Sequence, residues 1–224
     1  MYRGMPTLSE EILGWRTGHR HVAGVDEAGR GPMAGPVVAA AALLDPQFAR
    51  QWWSELRDSK RISARQRSRL SRLLREDAAV GVGHASHDEI DNLGLLEATR
   101  QAMLRAVEAL PCRPDLLLID AVALPDRAGT AGGGPGWSQR SLIRGDALCA
   151  SIAAASIVAK VERDGLMDEF DTTYPEYGFA QNRGYCTPAH LRALADHGPS
   201  PIHRRSFAPV RDHLAGLISP LPPC

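Results

Sequence analysis

Apolar residues along the chain fall into short blocks of strand length, separated by turns or by longer helical patterns. Such blocks occupy residues 21–26, 36–44 and 79–86. Only a glycine-rich stretch separates the first two blocks, so we expect them to pair as antiparallel strands. Residues 115–120 form an apolar run closed by an aspartate, which is typical of a central strand buried on both faces. Residues 139–145 indicate one more strand.

Helical patterns lie between these strands. Ser63 and Gln66 have the spacing of a capping box and predict a helix that continues through Leu74. A second amphipathic helix is predicted over residues 92–109 and stops before Pro111. The side chains expected to face inward from this helix are Leu93, Leu96, Met103, Leu104 and Val107.

A Gly- and Pro-rich loop at residues 124–138 precedes the last predicted strand. Two further helices follow that strand. One helix spans about residues 147–170 and is apolar nearly all round, with many alanines that allow close packing on a sheet. Thr187 and Pro188 predict the N-cap and first residue of a short helix that runs to about His197. The alternation of strands and helices indicates an α/β fold, with a sheet flanked by helices.

Length and charge set wider limits. The chain has 224 residues, of which 44% are hydrophobic, and this is enough for one large domain with a smaller appendage. Lysine plus arginine balances aspartate plus glutamate at 26 each. A net charge of zero excludes a global field that attracts nucleic acid or a membrane, so any anion site must be local.

The cysteines and the N-terminus indicate the compartment. Cys112, Cys149, Cys186 and Cys224 are far apart and form no CxxC pair, which argues against a zinc ribbon or a redox motif. The N-terminus lacks the pattern of a signal peptide, and no run reaches the roughly 18 apolar residues of a membrane span. We therefore expect a soluble cytoplasmic protein with reduced thiols and no membrane partner.

Two adjacent carboxylates, Asp26 and Glu27, close the first apolar run. Neighbouring carboxylates repel each other, and hard divalent cations with oxygen ligands relieve this repulsion. Asp120 ends another predicted strand, and Asp146 begins the long helix. Each acid has an ordinary alternative, since the first pair and Asp120 could belong to solvated turns and Asp146 could be a plain N-cap.

Taken as a set, the four carboxylates predict a metal site. Converging on one edge of a sheet, they would bind two Mg²⁺ or Mn²⁺ ions and support hydrolysis of a phosphodiester. One geometric condition applies, because consecutive strand residues point to opposite faces of a sheet. Asp26 and Glu27 can share a metal only if the strand ends or bulges there, and Gly29 and Gly31 would allow such an ending.

Candidate substrate contacts flank this carboxylate set in the sequence. Gly29 and Gly31 frame Arg30, so backbone amides could approach a sugar or phosphate closely. Tyr185 follows Arg183 and Gly184 and could stack on a base or sugar, although a core tyrosine beside a surface arginine is an equal alternative.

The basic residues carry a further signal. Among the 26 basic residues, lysine occurs only at Lys60 and Lys160. Two explanations are open. Either coding bias favours arginine throughout the chain, or position 60 requires the compact ammonium group of lysine to contact a phosphate. An arginine-rich face over residues 61–75 indicates a solvated helix or a nucleic-acid contact.

These motifs closely resemble bacterial ribonuclease HII, the type 2 ribonuclease H, over about residues 20–210. The resemblance rests on a series of motifs in one order, namely Asp26 to Pro32, Asp58-Ser59-Lys60, Leu118 to Ala121, Arg144-Gly145-Asp146, Ser151 to Lys160, Arg163-Asp164, Tyr177-Gly178-Phe179, Gly184-Tyr185 and His203 to Phe207.

The resemblance implies a fold and its boundaries. The fold would be a ribonuclease H-like mixed sheet flanked by helices, with a small helical C-terminal region. We expect a catalytic domain over residues 20–174 and a substrate-binding region over residues 175–216. Residues 1–19 and 217–224 would then be flexible ends.

The resemblance also implies an activity. Members cleave RNA in RNA–DNA hybrids and single ribonucleotides embedded in duplex DNA, on the 5′ side of the ribonucleotide. The products carry 3′-hydroxyl and 5′-phosphate ends. We therefore expect a monomeric, Mg²⁺- or Mn²⁺-dependent endonuclease that serves ribonucleotide excision repair.

By the same resemblance, each candidate residue has an expected role. Asp26, Glu27, Asp120 and Asp146 would be the metal ligands. Gly29, Arg30 and Gly31 would sense the ribose 2′-hydroxyl, which is the group that distinguishes RNA from DNA. Tyr185 would stack on the sugar of the following deoxynucleotide. Phosphate contacts would come from Lys60, Arg144 and Arg183.

Four residues depart from the commonest pattern of the family. Arg144 stands where lysine is usual, and Asn182-Arg183 replaces a frequent His-Lys pair. Ala121 follows Asp120 where many members have Gly-Asn, although an Asp-Ala variant also occurs in the family. The arginines keep the positive charge but change the geometry of a contact.

Other function classes fit the sequence less well. A structure-specific DNA nuclease or recombinase would share the carboxylates but gives no reason for a glycine-framed loop beside a sugar-stacking tyrosine. A silent nucleic-acid-binding module would be repelled from phosphate by four uncompensated acids. A dinucleotide enzyme is disfavoured because the glycines after Gly29 miss the GxGxxG spacing.

Overall fold

The structure is a computed structural model and describes residues 5–44, 62–125 and 136–217, together with Trp53, Glu55, Leu56 and Ser59. Within this part of the chain, each helix is too short or too polar to cross a bilayer. Cys112, Cys149 and Cys186 are free thiols.

A five-stranded mixed sheet forms the centre of the fold, in the order β3-β2-β1-β4-β5. Strand β1 is antiparallel to β2 and parallel to β4, and β4 is parallel to β5. The predicted antiparallel pair and the predicted mixed sheet are therefore confirmed. The strands are β1 (Val22–Ala28), β2 (Val37–Leu43), β3 (Ala79–Ala85), β4 (Leu116–Asp120) and β5 (Ser138–Leu142).

The helices follow the predicted order with some changes of boundary. The Ser63 side chain accepts a hydrogen bond from the Gln66 amide in a complete capping box, and the Thr187 side chain accepts one from the His190 amide. Both predicted caps are confirmed. The helices are α1 (Ser9–Arg16), α2 (Ala64–Asp77), α3 (His87–Leu93), α4 (Leu95–Glu108), α5 (Gly145–Leu148), α6 (Ala150–Thr173), α7 (Phe179–Asn182), α8 (Pro188–His197) and α9 (Ala208–Leu214), with a 3-10 turn at Pro175–Tyr177.

The single helix predicted over residues 92–109 was wrong at its start. Gly94 adopts a φ of +80°, which ends α3 at Leu93, and α4 begins at Leu95. Leu93 and Leu96 lie on either side of this break and are 50% and 47% exposed, so they do not face inward as predicted. The other expected core residues, Met103, Leu104 and Val107, are buried.

The long helix predicted from Asp146 is also divided. Cys149 is extended and forms a parallel bridge with Thr7, so α5 ends there and α6 begins at Ala150. The Glu11 side chain is fully buried, and its Oε1 accepts a hydrogen bond from the Ser151 amide at 2.7 Å. A carboxylate from α1 therefore satisfies an amide in the first turn of α6.

This arrangement differs from the expectation of a flexible segment over residues 1–19. Residues 9–16 form α1, in which Glu11 and Gly14 are buried. Trp15 packs against a buried cluster that contains Val22 and Ile152. The amphipathic pattern of α1 is weak, so its burial depends on contacts that are remote in sequence.

Contacts divide the chain into two compact units. The first comprises residues 1–28, 38–84 and 100–161, and the second comprises residues 29–37, 85–99 and 162–224. This division differs from the predicted boundary at residues 174 and 175, since the second unit takes in the end of α6. Met167 of α6 packs in a buried cluster with Tyr177 and Phe179, which explains why that end belongs with the C-terminal residues.

In the first unit, helices cover both faces of the sheet. Val80 and Val82 of β3 pack with Leu74 of α2 and Val158 of α6. The alternate residues of β3 are glycines, and a Cβ on Gly83 would overlap the backbone of α4. Because valine and glycine alternate in β3, the valine face packs against the side chains of α2 and α6, and the glycine face lets the backbone of α4 approach closely.

Gly24 allows an equally close approach between β1 and α6. A Cβ at this position would overlap backbone atoms of Ser151 and Ile152. Backbone atoms cannot move aside as a flexible side chain can. The position of α6 above β1, and with it the position of the residues that β1 carries, therefore requires glycine.

We expect Gly24→Ala to lower the free energy of unfolding by about 3 kcal/mol, the upper end for overpacking a core. Gly165→Ala is a matched control in α6, because nothing lies within 4 Å of its Cβ position. This control should raise stability by up to about 1 kcal/mol through helix propensity. Urea denaturation of both variants measures the difference, and equal stabilities would contradict the close approach.

Candidate active site

Asp26 and Asp120 lie on neighbouring strands, on the same face of the sheet. Val25 of β1 pairs with Ile119 of β4 in parallel register, and each aspartate is the next residue. Because parallel strands in register place equivalent side chains on the same side, the two carboxylates face together. The Ser156 side chain forms a hydrogen bond with Asp26, so this is the face that α6 covers.

Glu27 begins on the opposite face of β1. The pairing with β2 stays regular through Asp26↔Ala40, Glu27↔Ala39 and Ala28↔Val38. The strand end or bulge that was expected at the two acids is therefore not present in β1. Only side-chain length and rotation, and not a backbone irregularity, can bring the Glu27 carboxylate towards Asp26.

The Asp26 carboxyl is under electrostatic strain. Its side chain is only 5% exposed. Burial, followed by the charges of Glu27 and Asp120, raises the pKa of Asp26 well above its usual value. The Ser156 hydrogen bond and the Glu27 amide, which donates to Oδ1 at 2.7 Å, oppose this shift. A cation beside Asp26 would relieve the same repulsion.

Asp146 is brought towards this edge by a backbone contact. The Gly145 amide donates a hydrogen bond to Asp120 Oδ1 at 2.8 Å, and Asp146 is the next residue in the first turn of α5. The contact fixes the start of α5 against the end of β4. The sequence prediction placed Asp146 at the start of a long helix, whereas the structure places it in a separate short one.

The described residues do not contain a group of three or more His, Cys, Asp or Glu side chains arranged to hold a metal ion. The close approach is pairwise instead, between Asp26 and its acidic neighbours. The oxygen-only donor set still has the chemistry that Mg²⁺ and Mn²⁺ prefer. The site therefore fits a hard divalent cation by its ligand types and by the repulsion around Asp26.

Three non-glycine residues of the described chain adopt left-handed backbone conformations, and each lies beside a candidate site residue. Ala121 (φ +57°) follows Asp120, Arg144 (φ +59°) precedes Gly145-Asp146, and Arg183 (φ +53°) precedes Gly184-Tyr185. Such conformations cost about 1 kcal/mol or more and persist where the surroundings enforce them. The left-handed turn at Ala121 is one that glycine adopts without cost.

Gly31 and Tyr185 are neighbours within the second unit. A Cβ on Gly31 would lie 3.3 Å from Tyr185 Cε1, and the Tyr185 side chain is 48% exposed. The tyrosine is therefore not a core residue. A glycine backbone and an exposed aromatic ring form one surface, as the sequence pattern suggested for a sugar contact.

A buried histidine pair fixes the backbone of Tyr185. The Ser200 amide donates to His203 Nδ1 at 2.9 Å, which leaves His203 Nε2 as the donor to His190 Nε2 at 3.0 Å. His190 Nδ1 then donates to the Tyr185 carbonyl at 2.9 Å. Burial lowers the pKa of His203 to about 3 and also lowers the pKa of His190. Both rings are therefore neutral at pH 7, and the hydrogen bonds from His203 to His190 and from His190 to Tyr185 are kept.

Comparison with known proteins agrees with this geometry. A family model described as Ribonuclease HII matches residues 23–210. The chain belongs to the ribonuclease HII family. The ribonuclease HII of Desulfitobacterium hafniense is 53% identical over 208 residues, which cover 92% of this chain and 76% of that relative. The protein is therefore a ribonuclease H endonuclease, and the resemblance seen in the sequence is confirmed.

Solved structures of related enzymes share the fold. The ribonuclease H2 of Pyrococcus horikoshii is 28% identical, with a TM-score of 0.72 over 86% of this chain and 96% of that one. Bst-RNase HIII, solved in complex with Mn²⁺, is 19% identical, with a TM-score of 0.65 over 91% of this chain and 72% of that one. The predicted ribonuclease H-like α/β fold is confirmed.

The three basic residues expected to contact phosphate differ in their surroundings. Arg144 is exposed. Arg183 forms salt bridges with Asp168 and, at 3.8 Å, with Asp164, so acids of α6 already compensate its charge. Lys60 lies outside the described residues.

Sequence reasoning missed several residues that support this ribonuclease HII site. Ser156 contacts Asp26 and also Ser59 at 3.0 Å, and both hydroxyls are buried. The indication in the sequence was that Ser156 is a single polar residue within an otherwise apolar stretch of α6. Arg67, predicted on the outer face of α2, instead donates to the Ser59 and Ile62 carbonyls at 2.8 and 2.7 Å.

Proposed function

We propose that the protein is a divalent-metal-dependent endonuclease that cleaves on the 5′ side of ribonucleotides. Its substrates would be RNA–DNA hybrids and duplex DNA with single embedded ribonucleotides. The products would carry 3′-hydroxyl and 5′-phosphate ends. The observation that carries the proposal is the shared face of Asp26 and Asp120, where the charge of Asp120 opposes ionisation of the buried Asp26 at the end of two parallel strands.

Asp26, Glu27, Asp120 and Asp146 would hold the metal, which is Mg²⁺ or Mn²⁺. When bound, such ions polarise the phosphodiester and activate water. The protein contributes the rigidity of the ligands. Ser156 and the Glu27 amide orient Asp26, and the Gly145 amide orients Asp120. Glu27 and Asp146 would join these two through side-chain rotation.

Recognition of ribose would belong to the loop of Gly29, Arg30 and Gly31. Only Ala28 separates this loop from Glu27 in the sequence, so the chain passes directly from a metal ligand to the sugar-sensing backbone. A 2′-hydroxyl both donates and accepts hydrogen bonds, and successive backbone groups can meet both capacities. Tyr185, exposed beside Gly31, would stack on the sugar of the following deoxynucleotide.

Phosphates of the substrate would contact Arg144, Arg183 and Lys60. The compensation of Arg183 by two acids makes it the weaker contact, whereas exposed Arg144 offers a planar guanidinium to a phosphate. The partners are thus nucleic acids. We propose that a cytoplasmic monomer acts in ribonucleotide excision repair.

A cleavage assay tests the proposal directly. The substrates are two labelled duplexes of identical sequence, one all DNA and one with a single ribonucleotide. With Mg²⁺ or Mn²⁺ we expect a nick 5′ of the ribonucleotide at a rate at least about 1000-fold above that on the DNA duplex, because the site is built to bind a hydroxyl that DNA lacks. EDTA should stop the cleavage. Extension by a DNA polymerase without prior phosphatase treatment would verify the 3′-hydroxyl.

Two results would overturn parts of this proposal. Equal cleavage of both duplexes would show that the enzyme does not recognise the ribose 2′-hydroxyl. The protein would then be a structure-specific DNA nuclease. Cleavage that persists in EDTA would remove the metal requirement.

A further inference from the structure

Two buried arginines in the second unit hold the backbone around the Gly29-Arg30-Gly31 loop. The Arg204 guanidinium is fully buried. It donates to three backbone carbonyls, from Nη2 to Gly29 at 2.6 Å, from Nη1 to Arg30 at 3.1 Å and from Nε to Gly35 at 2.9 Å. One side chain therefore fixes the first two residues of the loop and also Gly35, which follows it.

Arg163 makes a similar set of contacts from α6. It donates from Nε to Pro36 at 3.1 Å, from Nη2 to Ala34 at 3.2 Å and from Nη1 to Arg183 at 3.0 Å. Its side chain is 1% exposed. Since Arg183 lies two residues before Tyr185, Arg163 joins the backbone of the loop segment to the segment that carries the stacking tyrosine.

Neither guanidinium forms a salt bridge with a described carboxylate, and backbone carbonyls provide its close partners. Burial lowers the pKa of Arg204 to about 9 and that of Arg163 to about 10, so both remain charged at neutral pH. A buried cation is costly unless its hydrogen bonds are made. Any movement of these carbonyls would leave a charged donor without its acceptor, so the two cations strongly resist a change in the loop.

The direction of the carbonyls determines that of the amides. In a planar trans peptide, the C=O and the following N–H point in opposite directions. The Gly29 and Arg30 carbonyls point towards Arg204, so the Arg30 and Gly31 amides point away from it. Two successive N–H groups are thereby presented on one side of the loop, which is the arrangement that binds an oxygen acceptor.

We infer that Arg163 and Arg204 are positioning residues that preorganise the ribose-sensing loop for the 2′-oxygen of the substrate. The inference rests on the proposed function, because it assigns these arginines a role in ribonucleotide selectivity. Their guanidinium forks are essential to this role. A lysine ammonium keeps the charge but cannot span several fixed carbonyls with the same geometry.

The test compares Arg204→Lys and Arg163→Lys with wild type on three duplexes. One carries a single ribonucleotide, one a 2′-fluoro-2′-deoxynucleotide at the same position, and one is all DNA. We expect each variant to lose at least tenfold in kcat/KM on the ribonucleotide and much less on the 2′-fluoro substrate, so selectivity falls. Arg205→Lys is the matched control, since Arg205 is adjacent and exposed, and it should leave selectivity unchanged.

The outcomes separate the inference from the proposed function. A wild-type enzyme that does not prefer the ribonucleotide duplex over DNA contradicts the proposed function itself. A wild-type preference that both lysine variants keep, or a proportional loss on all substrates, overturns only the positioning role.

A measurement on wild type covers the case in which the variants do not fold. Backbone ¹⁵N relaxation of the free enzyme should give order parameters of about 0.85 for the non-proline residues of the segment 29–36, as in rigid backbone. Values below about 0.6 would overturn the inference, because a mobile loop is not preorganised.

Discussion

Asp26→Asn should reduce the turnover of a ribonucleotide-containing duplex by at least about 1000-fold, or about 4 kcal/mol of activation free energy. Asparagine keeps the shape of the side chain and can still accept from the Glu27 amide. It loses the negative charge that a divalent cation needs. The measurement is a single-turnover cleavage rate at saturating Mg²⁺ and again at saturating Mn²⁺.

The same variant should be at least as stable as wild type. In the folded protein, burial and the charges of Glu27 and Asp120 oppose ionisation of Asp26. Asparagine removes this unfavourable charge, whereas unfolding exposes Asp26 to water in wild type. Thermal denaturation in EDTA should therefore show an unchanged or higher Tm together with lost activity, which is the pattern of a residue kept for function at a cost in stability.

Asp115→Asn provides the matched control, since Asp115 immediately precedes the opposite end of β4 from Asp120. Its carboxylate accepts from the Arg20 and His21 amides at 2.7 and 3.0 Å. Asparagine has one acceptor oxygen fewer, so stability should fall by about 1 kcal/mol while turnover stays normal. Retained turnover in Asp26→Asn, or an equal loss in Asp115→Asn, would remove Asp26 from the chemistry.

Gly29→Ala and Gly31→Ala should both reduce kcat/KM on a single ribonucleotide by at least about 100-fold, the loss expected from a displacement of about 1 Å at the reacting bond. Their effects on stability should differ. At Gly29 φ is +96°, and a Cβ would overlap Arg163 and lie 2.8 Å from the Pro36 carbonyl. This variant should lose about 3 kcal/mol of stability.

Gly31→Ala should fold normally. The close neighbour of its Cβ is Tyr185 Cε1 at 3.3 Å, and an exposed ring can move by a few tenths of an ångström. Its loss of activity would then come from the methyl group on the surface that meets the sugar. Steady-state kinetics and urea denaturation of both variants make the comparison, and a fully active Gly31→Ala enzyme would show that the ribose does not approach this surface.

Sequence alone predicted the parts of the fold that local patterns encode. The apolar runs predicted β1 to β4, the Ser63 and Thr187 patterns predicted two helix caps, and the ordered motifs indicated the ribonuclease HII family. It could not predict the breaks at Gly94 and Cys149. A helical pattern continues through both positions, and the second break depends on a bridge to Thr7, which is remote in the chain.

The candidate site shows the same limit. The sequence determined which residues have the required chemistry, namely four carboxylates, a glycine-framed arginine and a tyrosine, because side-chain type is a local property. Only the tertiary structure decided that β1 stays regular through Glu27, that Ser156 contacts Asp26, and that Arg163 and Arg204 hold the loop backbone. Strand register and the hydrogen bonds of buried side chains join residues far apart in the chain, and no local pattern specifies them.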